Sequence, residues 1–350
     1  MNEIITLKRF ADIDLNDTFF NSLKEDYPGF DAWFEKKSKD NSEAYVQYIN
    51  DNLQAFLYLK NESGEALTDI TPIRPACNRL KVGTFKIDAH NTKLGERFVK
   101  KILDTALDMK AEEIYVTIYP KHEGLIRILQ RYGFNEEGKK GEELVLVKNM
   151  KILTGDILKD FPLLTTKDKR KFLLSIYPKY HTKMFPDSIL RNEENKKYEL
   201  VKDVSYTNSI HKVYLCFMSD TAKLQRGDII AIYRTKDDKG SARYRSVITS
   251  ICQIEEVKTN KDFATVEDFL AYTNFYSIFD SEELKQWYQQ KNCYILKMTY
   301  NIALTKRVTN GYLVDNLNMS PKYWGFFQLT DEQFDAILKK GEVDEGVIID

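Results

Sequence analysis

No sign of charge dominates this chain of 350 residues: 52 basic and 53 acidic side chains leave a formal net charge of -1. No global field therefore argues for nucleic acid or a membrane surface, and local clusters have to carry any such reading. Cysteine is scarce. Cys77, Cys216, Cys252 and Cys293 are widely spaced and form no C-x-x-C pair, which speaks against a zinc site and for reduced thiols in a cytosolic setting. The N-terminal MNEIITLKRF lacks the apolar run of a secretory signal, and no segment is long enough to span a bilayer. The expectation is a soluble cytoplasmic protein with no membrane or metal partner. Nucleotide-binding glycine motifs are missing too: no G-x-G-x-x-G follows a strand, and no G-x-x-x-x-G-K precedes Ser or Thr. Internal repeats and low-complexity tracts are absent, and the length allows two domains, each with its own core.

What is present is a block from Thr84 to Phe134 that reads as strand, polar loop, amphipathic helix, strand and short helix. That order suits a parallel strand pair joined by a crossover. Thr84, Phe85 and Ile87 give the first strand its character. Phe98, Val99, Ile102, Leu103 and Ala106 recur at helical spacing, so one helix face should lie on a sheet. Ile114 to Tyr119 supplies the second strand, stopped by Pro120. The loop between, ending in Gly95 at a helix start, presents backbone N–H groups at the positive end of a helix dipole, a place suited to phosphate.

At these residues the sequence resembles the GNAT superfamily of acyl-CoA-dependent N-acyltransferases. The family's R/Q-x-x-G-x-G/A loop aligns with His90, Asn91, Thr92, Lys93, Leu94 and Gly95, of which Gly95 fits the pattern. The strand IYVTIYP and the helix EGLIRILQRYGF, closing on Gly133 and Phe134, complete the likeness, which covers residues 1 to about 150. The flanking pattern agrees. A strand over Glu3 to Lys8 precedes two short helices within Asn16 to Lys39, divided at Pro28 and Gly29. A helix is expected over Ser42 to Asn50, then a hairpin of Leu53 to Leu59 with Glu65 to Ile70, a strand over Arg79 to Ala89, and a last strand over Glu143 to Lys148.

Residues 151–204 read as a basic and aromatic connecting segment. Lys167, Lys169, Arg170, Lys171, Lys179 and Lys183 alternate there with Phe172, Tyr177, Tyr180, His181 and Phe185, a mixture that can neutralise phosphates and stack on bases. Residues 205–350 are β-rich, with strands over Lys212 to Met218, Ile229 to Arg234, Tyr244 to Val257 and Asn292 to Leu304, and helices over Phe263 to Phe279, Ser281 to Gln290 and Gln328 to Lys340. Thr330 and Gln333 form a capping box for the last helix, and the acidic GEVDEGVIID should fray. LQRGDIIAIYRT and YRSVITSI resemble the PUA-like group of small barrels, including the ASCH and EVE types; Lys223 and Arg226 precede Gly227, where the ASCH pattern has its basic residues after it. The fold class expected is α+β, a GNAT-like mixed sheet flanked by helices followed by a PUA-like β-barrel with inserted helices.

The first resemblance implies acetyl-CoA as cofactor. Ile87 and Ala89 would pair with its pantetheine arm where two parallel strands splay, and Asn91, Thr92, Lys93, Leu94, Gly95 and Glu96 would surround the pyrophosphate, with Lys93 adding a cation. The family's usual proton-donating Tyr falls at Leu129, which cannot donate, so His122, Tyr119 and Tyr132 are the catalytic candidates. The second resemblance implies RNA or an RNA-associated substrate, met by Lys169, Arg170, Lys171, Tyr180, His181, Arg226, Arg234, Arg243 and Arg245. His211 reads as structural. Three functions follow: an N-acetyltransferase acting on an amine carried by RNA, a nucleic-acid-binding regulator that senses acyl-CoA, or an acetyltransferase of protein or small-molecule amines.

Overall fold

The computed structural model describes residues 5–88, 93–185, 209–274, 276–343 and 345–350. The chain divides into two compact units, Met1–Lys151 and Ile152–Asp350. Both are α+β with mixed sheets, and among the described residues no helix is long and apolar enough to cross a membrane.

The first unit runs β1 (Thr6–Arg9), α1 (Asn21–Asp26), α2 (Phe30–Lys39), β2 (Glu43–Ile49), β3 (Asn52–Asn61), β4 (Arg79–Ile87), α3 (Leu94–Asp108), β5 (Glu113–Ile118), α4 (Glu123–Arg131), β6 (Asn135–Lys140) and β7 (Glu143–Asn149). Its sheet has the order β1-β2-β3-β4-β5-β7-β6. Only β4 and β5 are parallel, because only they are joined by a crossover helix, α3; the remaining neighbours are antiparallel. Phe98, Val99, Ile102, Leu103 and Ala106 of α3 are fully buried, as their spacing requires. Beneath α1 and α2, Phe10, Phe20, Phe34 and Phe56 are enclosed, with the Phe10 and Phe56 rings edge to face at 5.5 Å.

Two expectations fail here. Ser42 to Asn50 is strand β2, not a helix: Ala44 and Val46 are buried at a spacing of two, and pairing with β1 and β3 overrides the helix-forming Glu, Ala and Gln. The hairpin after β3 is also absent, since β3 pairs with β4 across residues 62–78, and the expected strand over Glu65 to Ile70 shrinks to a bridge between Leu67 and Arg74.

The second unit is built on β8 (Lys171–Ile176), β9 (His211–Cys216), β10 (Ile229–Arg234), β11 (Val247–Thr259), β12 (Tyr294–Thr309) and β13 (Phe326–Leu329). They form one sheet in the order β13-β8-β10-β11-β12-β9. Where a barrel was expected, no pairing among the described residues joins the edges β13 and β9. Helices Val266–Thr273 and Ser281–Tyr288 lie between β11 and β12, and the capping box of Thr330 and Gln333 starts helix Asp331–Lys340.

Residues 171–176 of the expected connecting segment are strand β8, parallel to β10 in the interior of the second sheet. Alternation was hidden because β8 is buried on both faces. The C-terminal residues do not fray either. Ile348 bridges Leu164, and the Asp350 carboxylate accepts from Thr165 Oγ1 at 2.7 Å and from the Thr166 and Lys167 amides at 2.6 and 3.1 Å.

Candidate functional site

Pairing between β4 and β5 runs from Arg79 opposite Glu113 to Val82 opposite Val116 and stops there, although both strands continue. The cause lies at Gly83. Tyr58 of β3 faces Thr84 while the next residue, Leu59, faces Val82, so Gly83 is an extra residue in β4. A bulge of this kind bends its strand and increases the local twist. A Cβ at position 83 would stand 2.7 Å from Tyr58 Cδ1, so a side chain there would have to displace the Tyr58 ring. Beyond the bulge β4 turns away from β5, and a cleft of about 1240 Å3 opens between them. Thr84 and Ile87 from β4, Val116 and Ile118 from β5, Gly95 from α3 and Ile128 from α4 line it.

The first turn of α3 faces this cleft through Gly95. A Cβ there would meet Ile128 Cδ1 at 2.8 Å, so the glycine lets α3 and α4 pack closely. Ile87 lines the cleft as expected. Lys93, Leu94 and Glu96 are buried. Lys93, expected to add a cation at this loop, is buried at the N-cap of α3, and Glu96 places a carboxylate in the first turn of the helix. Ala89, Asn91 and Thr92, with His90, fall outside the described residues.

The opposite wall comes from the end of α1. Asp26 and Tyr27 are consecutive, and each clasps a group from a distant part of the unit. The Asp26 carboxylate, nearly buried, meets His122 Nε2 at 3.0 Å and also pairs with Lys121. His122 is the N-cap residue of α4 and is half-exposed. Tyr27 donates its hydroxyl to Glu143 Oε1 at 2.7 Å, at the start of β7. Burial, and then the Glu143 carboxylate, push the Tyr27 phenol well above its ordinary value, so it keeps its proton. The Tyr119 ring lies 5.4 Å from that of Tyr27, and Phe30 and Trp33 complete an aromatic wall.

Of the three catalytic candidates, His122 and Tyr119 therefore line the cleft together. Tyr132 does not: it is fully buried at the C-cap of α4, and it is corrected to a packing residue. Leu129 is likewise enclosed. Asp26, Tyr27 and Glu143 were not legible in the sequence, because their contacts join residues 96 and 116 positions apart. The cleft lysines carry carboxylate partners: Lys81 lies 3.7 Å from Glu62, Lys86 lies 3.4 Å from Asp88, Lys121 pairs with Asp26 and Lys140 with Asp69.

In the second unit the basic set disperses. Lys171, His181 and Arg234 are buried in or against the sheet, which corrects their reading as nucleic-acid contacts. Lys171 Nζ pairs with Asp331 at 2.6 Å. His181 Nε2 meets Thr249 Oγ1 at 2.7 Å, and burial, then Arg234 and Arg307, hold its pKa well below the ordinary imidazole value. Tyr180 is half-buried with its ring edge-on to Phe279. Arg170 forks onto Asp228, Arg243 onto Asp315 and Arg245 onto Asp237, whose carboxyl is pulled down to about 2 by the Arg245 hydrogen bonds. Lys169, Arg170 and Arg226 gather where β8 and β10 begin, while Arg243 and Arg245 precede β11 at the far end of β10. A six-residue strand, about 16 Å of rise, separates the two groups.

No family model and no curated protein matches the chain. Among solved structures it is similar to the ASCH protein of Zymomonas mobilis, with 8% identity over 52% of this chain and 99% of that one, at a TM-score of 0.34. It is also similar to the N-acetyltransferase PseH of Campylobacter jejuni in complex with acetyl coenzyme A, with 10% identity over 42% of this chain and 99% of that one, at 0.29. A GNAT family acetyltransferase of Elizabethkingia anophelis with acetyl-CoA bound shows 12% identity over 41% of this chain and 97% of that one, also at 0.29. Likenesses this distant fix neither activity nor substrate.

Proposed function

We propose that the first unit is an N-acyltransferase that takes an acyl-CoA, acetyl-CoA in the first instance, into the cleft between β4 and β5. The observation that carries the reading is the pairing that ends at Val82 and Val116, with β4 continuing along one wall as far as Ile87. The edge of β4 beyond Gly83 offers main-chain donors and acceptors to an extended amide-bearing arm, as an added strand would use them. Thr84 and Ile87 would lie along that arm, and the first turn of α3 at Gly95 would face its phosphates. Bound there, acyl-CoA supplies a thioester carbonyl. His122 stands ready to hold or move a proton, and Tyr119 and Tyr27 form the wall beside it.

Calorimetric titration of acetyl-CoA into the full chain tests this, with Thr84→Trp as the variant that fills the cleft from a half-buried position on its wall. Gly95→Trp is a poorer control, because the contact with Ile128 makes it a packing change. Binding that weakens at least about tenfold, ~1.4 kcal/mol, in a folded Thr84→Trp supports the cleft. Equal binding by both proteins would sink it.

A second reading adds an RNA-borne acceptor. It is favoured by one observation, the grouping of Lys169 and Arg226 with Arg170 where β8 and β10 begin. Lys169→Glu with Arg226→Glu should then lower the salt-dependent retention of RNA. Arg170 is left alone in that test because it holds Asp228.

A further inference from the structure

The N-acyltransferase reading leaves the acceptor unspecified, and one end of the cleft has a charge pattern that specifies it. Each lining lysine is matched to a carboxylate, and Asp26 is matched to Lys121 and His122. Glu143 differs: it accepts from the hydroxyl of Tyr27, an uncharged group that retains its proton. Among the described residues Glu123 and Glu143 line the cleft without an ion pair, and of the two it is Glu143 that is held by an aromatic side chain, Tyr27, whose ring lies 5.4 Å from that of Tyr119. A carboxylate next to aromatic rings attracts an alkylammonium group, through charge and through the ring quadrupoles.

The proton acceptor lines the same cleft. His122 Nε2 faces Asp26, which favours the tautomer carrying its hydrogen on Nε2 and leaves the lone pair on Nδ1. Asp26 and Tyr27 are neighbours in the chain, so the group that orients the imidazole and the group that holds Glu143 are fixed together at the end of α1.

We propose that this end of the cleft is the acceptor subsite for a primary aliphatic ammonium, with Glu143 and the aromatic wall holding the cation and His122, positioned by Asp26, accepting its proton. The proposal rests on the acyltransferase reading. The ammonium passes one proton to His122 Nδ1. The freed amine nitrogen bonds to the thioester carbonyl carbon as the C–S bond breaks. Of its two remaining protons one stays on the amide and one goes to the departing sulfur, while the imidazolium returns its proton to solvent. Asp26 is a positioning residue, since it touches the imidazole and not the acceptor.

The test uses the full chain, acetyl-CoA and two probes, putrescine as the aliphatic cation and aniline as an uncharged amine, with release of free thiol as the readout. Putrescine should be turned over with a kcat/KM at least about 100-fold above that of aniline. Glu143→Gln, whose amide oxygen can still accept from Tyr27, should raise the putrescine KM about tenfold with kcat within about twofold, the signature of lost acceptor binding. His122→Ala should lower kcat by about 10²-fold or more and recover part of it with added imidazole. Asp26→Asn should lower kcat about tenfold while leaving KM and acetyl-CoA binding unchanged. Aniline preferred over putrescine, or no change in KM on Glu143→Gln, overturns the proposal. Acetyl-CoA binding without putrescine turnover also overturns it and leaves the donor cleft standing. Loss of the donor cleft alone would appear as no acetyl-CoA binding together with putrescine binding that weakens in Glu143→Gln.

Discussion

In the first unit the polar side chains of interest face an opening, and they meet across it in pairs drawn from α1, α4 and β7. In the second, polar side chains such as His181, Arg234 and Lys171 are enclosed, and every residue of β9 and β10 is buried. The contrast follows from how the strands pair. In the first sheet β4 and β5 part midway and expose a wall, whereas β10 is paired along its whole length on both sides, with β8 and β11. Buried polar groups in a fully paired sheet act on stability, and those at a gap in a sheet are available for chemistry.

The gap itself needs a firm closed end. Arg79 and Glu113 are cross-strand partners at the first pair of β4 and β5, and Glu113 also receives two bonds from Arg74, at 3.2 and 2.6 Å. Glu113→Ala would strand the fully buried Arg79, and about 3–5 kcal/mol of stability should be lost, read by chemical denaturation. An intact stability would break the view that the cleft is anchored at its closed end. Next in size, Leu174→Ala removes a fully buried side chain from β8 and should cost about 2–5 kcal/mol. A negligible cost would return residues 171–176 to the status of a connector.

Acid should separate the two units. His181 has a folded pKa below its unfolded value, so the unfolded chain takes up its proton first, and stability falls with pH below about 6.5 by up to ~1.4 kcal/mol per pH unit. For Glu113 burial raises the pKa, but the bonds from Arg74 and Arg79 outweigh it, and the folded value lies below the ordinary one. Its contribution is complete above about pH 4.3 and is lost as the pH falls further. Hydrogen exchange at pH 7.5 and 5.5, corrected for intrinsic rates, should therefore show β10 and β11 loosening before β4 and β5. The reverse order would contradict the assignment of His181 as a buried neutral imidazole. The smallest effect is expected at Arg243 and Asp315, both about half exposed, where Arg243→Ala should leave the chemical-denaturation midpoint almost unchanged.

Sequence periodicity was a good guide wherever one face of an element is buried and the other is not. It placed α3, the division of α1 from α2 at Pro28 and Gly29, β10, and the capped helix after Thr330. It failed where pairing partners decide the conformation, as in β2, and where a strand carries little apolar alternation, as in the edge strand β6 with the sequence NEEGKK. Basic residues were over-read for a similar reason: Lys171 and Arg234 look like surface charge until the strands on either side are known. The site was half legible. His122 and Tyr119 stand beside recognisable element ends, but the groups that meet the cleft from α1 and β7 are brought there only by folding.

Gly83 also sets which way the later side chains of β4 point. Leu80 and Val82 are buried, Gly83 is exposed, and Phe85 is buried again three positions after Val82. Counting the strand by twos from Leu80 would send residue 84, not 85, inward. The extra residue therefore acts as a half-turn inserted into a two-fold screw, and everything downstream is read in the opposite phase. Deleting that one glycine, with no side chain removed, would leave Leu80, Val82 and Phe85 alternating inward without interruption and would take away the bend that parts β4 from β5. The opening of the cleft is thus tied to a single count along the chain.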